Sequence, residues 1–271
     1  MKKNLIYAKR LFMTAFCSMV LSLGCATVNE KPFVIPELKE WNGAEGMFSP
    51  SGKYVVKGGK SAEEVAQLFA SDYQDLVGKT LTPKNGKPSK GDIVLVLKSD
   101  KQLGTEGYRL TIGDVTTITA STVEGLVWGT RTILQLTEQN RSTGFVLPKG
   151  STMDSPNYKL RGFMMDCGRK FIPMPYLRSL VKIMSYYKMN TLQIHLNDNG
   201  FKQFFGGDWA KTSAAFRLEC DTYPGLTAKD GSYTKAEFIE LQKLAERYGV
   251  NIIPEIDVPA HSLAFTHYKP E

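Results

Sequence analysis

Three short apolar runs, residues 161–167, 191–198 and 251–257, constrain this chain more than any other feature. Each ends in polar or charged residues. Asp166 and Arg169 follow the first, His195 and Asp198 close the second, and Glu255, Asp257 and His261 close the third. Helix-patterned segments separate the runs, and strands that alternate with helices pair in parallel through crossover connections. That connection brings the three C-terminal ends to one side. In a (β/α)8 barrel this side carries the active site, so charge gathered there reads as a site rather than as a solvated surface. A complete barrel takes about 250 residues, more than twice the stretch from Leu160 to Glu271. The expected fold class is α/β: a small α+β N-terminal domain, then the first part, about three strands, of a truncated (β/α)8 barrel.

The segments between these strands carry their own punctuation. Pro175 stands near a helix start, and Leu177, Leu180, Val181 and Met184 make an i, i+3, i+4, i+7 stripe. Thr234 and Glu237 predict a capping box, Tyr233 and Phe238 a hydrophobic staple, and Gly249 a C-terminal stop. Residues 199–232 form a long irregular stretch, and loops of that length are often functional.

Upstream, residues 26–45 read as a polar lead-in. Residues 53–56, 92–97, 107–112 and 115–119 read as strands, the last two joined by the turn residues Gly113 and Asp114. Two helices are predicted with capping boxes, one at residues 61–76 opening on Ser61 and Glu64, the other opening on Ser121 and Glu124. Residues 140–156, punctuated by Gly144, Pro148, Gly150 and Pro156, read as a linker. The expected organisation is a leader over residues 1–25, an α+β domain with its linker over 26–155, and a partial barrel over 156–271.

The formal charge of +7 is concentrated at the start. Lys2, Lys3, Lys9 and Arg10 precede the first acidic residue, Glu30; without them 30 basic residues face 27 acidic ones. No basic stripe of the kind that nucleic acid requires is visible. Those charges instead open a leader, followed by the apolar run 11–23, which is short for a bilayer span. Its end, Leu21-Ser22-Leu23-Gly24-Cys25, resembles a bacterial lipobox, with Cys25 as the lipidation site. An exported protein, periplasmic or held at the outer membrane or cell surface by lipid, is the expectation; an ordinary cleaved leader is the alternative. With Cys17 in that leader, Cys167 and Cys220 remain, and two buried free thiols are expected rather than a bridge. His195, His261 and His267 do not show a metal-binding spacing, and no metal or cofactor is expected.

The strand-end motifs carry a family resemblance. Arg161-Gly162-Phe163-Met164-Met165-Asp166-Cys167-Gly168-Arg169, His195-Leu196-Asn197-Asp198 and Pro254-Glu255-Ile256-Asp257-Val258-Pro259-Ala260-His261 resemble, in order, the first three barrel strands of family 20 glycoside hydrolases, the β-N-acetylhexosaminidases. Gly125-Leu126-Val127-Trp128-Gly129-Thr130-Arg131 resembles part of the small domain that precedes their barrel, where Trp128 is expected in the core. The resemblance implies a retaining exo-glycosidase in which the substrate's own acetamide attacks the anomeric carbon. It assigns Arg169 to the outer hydroxyls of the terminal sugar, and Asp198 to orienting His261 toward the catalytic acid. His195 is a pocket residue or a satisfied core position; Glu255 and Asp257 are supports at the strand end. The family's catalytic Asp-Glu pair has no counterpart, since no such dipeptide occurs in the sequence, and Gly206-Gly207-Asp208 is a coincidental match in a loop. The pair is expected beyond Glu271, and the 271-residue chain is expected to be an inactive, aggregation-prone N-terminal fragment. Asp198-Asn199 in place of two aspartates, and Ala260 before His261, depart from the common family pattern, and the string His195-Leu196-Asn197-Asp198-Asn199 followed by Ala215-Phe216-Arg217-Leu218-Glu219 resembles the lacto-N-biosidase and surface exo-N-acetylglucosaminidase subgroup. The expected partner is a glycan. The competing reading is a non-catalytic glycan-binding lipoprotein.

Overall fold

The run Ile93-Val94-Leu95-Val96-Leu97 is apolar throughout, the pattern of a parallel strand covered on both faces. In a computed structural model, which describes residues 27–270, this run is β4 and lies inside a seven-stranded mixed sheet. Cys17, Cys25 and the leader lie outside the described residues. The strands are β1 (Asn42–Phe48), β2 (Lys53–Lys57), β3 (Thr82–Pro83), β4 (Ile93–Leu97), β5 (Tyr108–Ile112), β6 (Thr116–Ala120) and β7 (Leu147–Asp154). Their spatial order is β1-β7-β5-β6-β4-β2-β3. β5 and β6 form the expected antiparallel pair, with Ile112 opposite Thr116 across the Gly113-Asp114 turn.

Two features differ from the sequence reading. The stretch read as a linker contains β7, which pairs with both β1 and β5, and β1 itself lies across the end of the supposed lead-in. β7 escaped notice because its inward positions include Gly150, Thr152 and Asp154 beside Leu147, which hides the hydrophobic alternation of a strand. Gly150 is there for space: a Cβ at that position would come within 2.2 Å of the Trp41 indole. The capping boxes also shift. Helix α1 (Lys60–Val77) starts after Gly59 with no side-chain cap, and helix α2 (Val123–Gln139) is capped by Thr122, whose Oγ1 accepts the Gly125 N–H. The Ser121 hydroxyl donates instead to the Asp100 carbonyl.

α2 is buried over residues 125–137 on every side, because the sheet covers one face and the second half of the chain covers the other. Trp128 is fully buried, and its indole N–H donates to Glu106 at 2.9 Å. Three polar junctions tie the halves together. Lys188 Nζ donates to the Tyr108 hydroxyl (2.9 Å) and to Asp154 (3.2 Å). Arg161 pairs with Glu106 and stacks over Trp128. Tyr248 donates to Asp72, which also receives Arg131.

The second half holds the three expected parallel strands, in the order β12-β9-β8. They are β8 (Gly162–Asp166), β9 (Thr191–His195) and β12 (Asn251–Glu255). Helices α3 (Met174–Tyr186) and α4 (Lys235–Arg247) cover one face through Leu177, Val181, Met184, Phe238, Leu241 and Ala245. The capping box of Thr234 with Glu237 is formed, Tyr233 packs on Phe238, and Gly249 ends α4 with φ +71°. Among the described residues these strands make a three-stranded sheet and not a closed barrel. A short last helix, α5 (Leu263–Tyr268), follows β12. No described helix is long and apolar enough to cross a membrane. Cys167 and Cys220 are both free; Cys167 is buried and Cys220 half-buried.

Candidate active site

Parallel register places Asp166, His195 and Glu255 side by side at the C-terminal ends of β8, β9 and β12. Residues two apart in a strand share a face. This row therefore stands opposite the helix-covered face, which holds Leu192 and Ile194. β9 does not run on to Asp198, as the sequence had suggested. The chain breaks direction after Leu196, and residues Asn197–Asn199 (β10) pair antiparallel with Ala214–Phe216 (β11). That hairpin turns Asp198 back over the strand ends.

The result is a continuous chain of carboxylates and imidazoles. Gln193 donates to Glu255, whose Oε1 lies 2.9 Å from His195 Nδ1. His195 Nε2 lies 2.8 Å from Asp198 Oδ2, and Asp198 Oδ1 lies 2.7 Å from His261 Nδ1. Asp257 stands 3.9 Å from His261 Nε2. Arg169 enters from the loop after β8, its Nη1 donating to Asp166 (2.7 Å) and Asp198 (2.8 Å). Gly168 makes that approach feasible, since a Cβ there would meet the Asp198 amide nitrogen at 2.7 Å.

Protonation follows from these contacts. An ionised carboxylate only accepts, so His261 Nδ1 carries the proton it shares with Asp198, and Nε2 is turned away. The 3.5 Å approach of Arg169 Nη2 to His261 Nδ1 is then a meeting of two donors that both serve Asp198. His195 faces a carboxylate at each nitrogen. Burial opposes its charge, but the hydrogen bonds to Asp198 and Glu255 and their negative charges outweigh it, and the imidazole pKa is raised. Burial likewise works against ionised Asp198; His195, the Asn199 amide, His261 and the Arg169 charge overcome it and lower the carboxyl pKa. Glu255 is lowered chiefly by the Gln193 hydrogen bond.

Two residues without an assigned part in the sequence reading hold this arrangement. Asn197 is fully buried, and its amide donates to the carbonyls of Asp257 and His261, each at 2.9 Å. Its Oδ1 accepts the Asp257 N–H, also at 2.9 Å. One side chain thus pins both ends of the loop carrying His261, which sits at φ +54°, a left-handed conformation that histidine tolerates better than most residues. Arg217, 2% exposed, donates to the carbonyls of Cys167, Gly168 and Gly231 and to Asp230, tying the long excursion after β10 to the Arg169 loop. A lone arginine in the apolar run Ala214-Ala215-Phe216-Arg217-Leu218 was the available signal; Asn197 gave none.

Of the sequence candidates, Arg169, Asp198, His195 and His261 therefore converge. His195 lies beneath the site, 5% exposed, with both ring nitrogens engaged, so it has no free nitrogen for a ligand. Asp208 stands apart in the loop that follows the 3-10 turn Lys202–Phe205, paired with Lys211. His195, Asp198 and His261, and separately His195, Glu255 and Asp257, have ligand atoms within 4.8 Å of one another. In the first set each residue carries a short bond to another, and Arg169 supplies a fixed positive charge at Asp198. That donor set is an ion-pair network and fits a metal poorly.

Comparison with known proteins gives the same direction. The catalytic-domain model of glycosyl hydrolase family 20 matches residues 158–271, and the model of that family's domain 2 matches residues 31–155. A β-hexosaminidase of Akkermansia muciniphila is 38% identical over 182 residues, covering 65% of this chain and 37% of that protein. A β-N-acetylhexosaminidase of Cellulomonas fimi is 30% identical over 186 residues, with coverage of 68% and 36%. The chain thus spans little more than a third of the length of these relatives. Among solved structures, a mutant Streptomyces plicatus β-hexosaminidase in complex with product GlcNAc superposes with a TM-score of 0.74 at 26% identity, covering 88% of this chain and 48% of that one. Both halves of the sequence and the strand-end site lead to one conclusion: the chain belongs to glycosyl hydrolase family 20.

Proposed function

We propose that the whole protein is a retaining exo-β-N-acetylhexosaminidase that releases terminal GlcNAc or GalNAc from glycans. The observation that carries this reading is Asp198, fully buried and held between Arg169 and His261 at the strand ends. Arg169 remains one-third exposed, so its guanidinium has donors to spare for the outer hydroxyls of a terminal sugar. His261, with Nδ1 fixed on Asp198, offers Nε2 to a neighbouring carboxylic acid and helps set that acid's pKa. In the reaction, the acetamide oxygen of the substrate attacks the anomeric carbon. The bond to the departing oxygen breaks as an acid delivers its proton there. Water then opens the oxazolinium, returning a proton to the same carboxylate. We assign neither that acid nor the aspartate that orients the acetamide to residues 1–271, which contain no Asp-Glu dipeptide.

The domain boundaries at residues 25 and 155, export through the leader with lipidation at Cys25, and kinship with the lacto-N-biosidase subgroup belong to the same proposal. The test is hydrolysis of p-nitrophenyl N-acetyl-β-D-glucosaminide by the whole protein, with the first-formed anomer read by NMR. The β anomer is expected, and Arg169→Ala or Asp198→Ala should lower kcat/KM by about 100-fold or more. No hydrolysis, or an α anomer formed first, overturns the reading; glycan binding without turnover would instead support the non-catalytic alternative.

A further inference from the structure

The seven-stranded sheet is unfinished at its edge beside α1. β3 is two residues long and pairs only with Lys53 and Tyr54, whereas β2 runs on to Lys57. The Lys84 N–H donates to the Tyr54 carbonyl at 2.8 Å, the last backbone contact on that edge among the described residues. Alternate residues of a parallel strand turn their peptide groups to the same neighbour, so the N–H and C=O of Val56 face the side on which β3 has ended. Neither has a backbone partner among the described residues. They border a cleft of about 320 Å3 between β2, α1 and residues 83–86. All of its lining comes from residues 54–86, and none of the strand-end residues takes part.

The side chains around this open edge are also unpartnered. Tyr54 is 6% exposed and lines the cleft, and its hydroxyl makes no hydrogen bond among the described residues. A hydroxyl on so buried a residue ordinarily has a partner, so this one points to a group supplied from outside. Burial and the nearby Glu63 charge push its pKa up, which keeps the O–H a donor. Glu63 and Gln67 stand one turn apart on α1, and both are exposed in the cleft with no side-chain partner among the described residues. Lys84 is bound to Asp92, so Lys57 and Glu63 leave the lining neutral, which favours an uncharged ligand over an anion. An acetamido sugar supplies what these groups lack. Its amide N–H can donate to the Val56 C=O, its amide carbonyl can accept from the Tyr54 hydroxyl, and its ring hydroxyls suit the Val56 N–H, Glu63 and Gln67.

We propose that the cleft between β2 and α1 is a glycan-binding site of the N-terminal half, which takes an N-acetylhexosamine unit and holds the protein on a glycan chain. The choice of sugar rests on the proposed function. The test is photo-crosslinking of the whole protein with a 1-thio-β-N-acetylglucosaminide that carries a diazirine on its aglycone and whose sulfur resists hydrolysis. The probe is used well below saturation, where label follows affinity, and the labelled peptides are mapped by mass spectrometry. Label is expected in peptides covering residues 53–67 or 82–86 as well as in the strand-end peptides. GlcNAc should suppress the cleft label and glucose should not. Tyr54→Phe removes one oxygen and no hydrogen bond of the fold, and should lower the cleft label about fivefold, as should Glu63→Ala. The strand-end label is the internal reference. Strand-end label without cleft label refutes the cleft and leaves the proposed function standing. So does cleft label that glucose suppresses equally, or that both variants leave unchanged. If neither region is labelled, the proposed function falls and the cleft with it.

Discussion

Asn197→Ala removes a side chain that touches no solvent and that we place outside any contact with substrate. Its cost can be worked from three hydrogen bonds, each 2.9 Å long, to the backbone of residues 257–261. The loop lies near the surface, so the carbonyls and amide freed by the substitution can find water once it opens, and each bond counts for about 1 kcal/mol. The sum, about 3 kcal/mol, multiplies the local opening equilibrium by about 100-fold, since 1.4 kcal/mol is a factor of ten. Native-state hydrogen exchange reads this directly, because the Asp257 amide donates to Asn197 Oδ1. Its protection should fall about 100-fold, while amides within β9 keep theirs. The imidazole nitrogen shifts of His261 should also lose the signature of a proton fixed on Nδ1. Asp257 protection unchanged within about threefold would refute the reasoning, and would mean that the left-handed turn at His261 is held by the rest of the loop.

Other expectations rest on different contacts. Lys188→Ala should destabilise the fold by about 3–5 kcal/mol in urea denaturation, since it leaves Asp154 buried without its counter-charge; Lys188→Ala with Asp154→Asn should cost less than Lys188→Ala alone. Gly168→Ala should cost about 1–3 kcal/mol by thermal melting and weaken GlcNAc binding, because its Cβ would push Asp198 away from Arg169. The pH dependence has two limbs. The raised pKa of His195 makes its contribution complete below the ordinary imidazole value of 6.5 and lost as pH rises through the higher folded value. The lowered Asp198 and Glu255 contribute fully above their ordinary values of 3.8 and 4.5, and that part is lost as pH falls through the lower folded values. Urea midpoints across pH should therefore decline on both sides, and His195→Gln should flatten the alkaline limb.

What the sequence disclosed and what it hid follow from the range over which each signal acts. α4 was legible to the residue, because Thr234, Glu237, Tyr233, Phe238 and Gly249 act within one or two turns of their own backbone. The three parallel strands were legible because burial of one face puts apolar residues such as Leu192 and Ile194 at alternate positions, and polar or charged residues close each strand. β7 was not, since its inward Gly150 and Asp154 are explained only by Trp41 and by Lys188, both distant in sequence. The same division runs through the site. Arg169, Asp198 and His261 announced themselves as charge at strand ends, but their order of contact did not, because it depends on the break after Leu196. Had β9 continued straight, period-two alternation would have turned Asp198 to the side opposite His195. The β10–β11 hairpin cancels that alternation, and His195 and Asp198 meet at 2.8 Å. The hairpin is anchored by Arg217 on the carbonyls of Cys167 and Gly168, so the residue that decides the geometry of Asp198 lies nineteen positions away and touches neither Asp198 nor its partners. Arg217→Met, which keeps the length of the side chain and removes its donors, should accordingly loosen Arg169 and Asp198 together. The measurement is GlcNAc affinity alongside exchange protection of the Arg217 N–H, which bonds to the Leu196 carbonyl. Loss of affinity with full protection there would place the effect outside the hairpin and sink the argument.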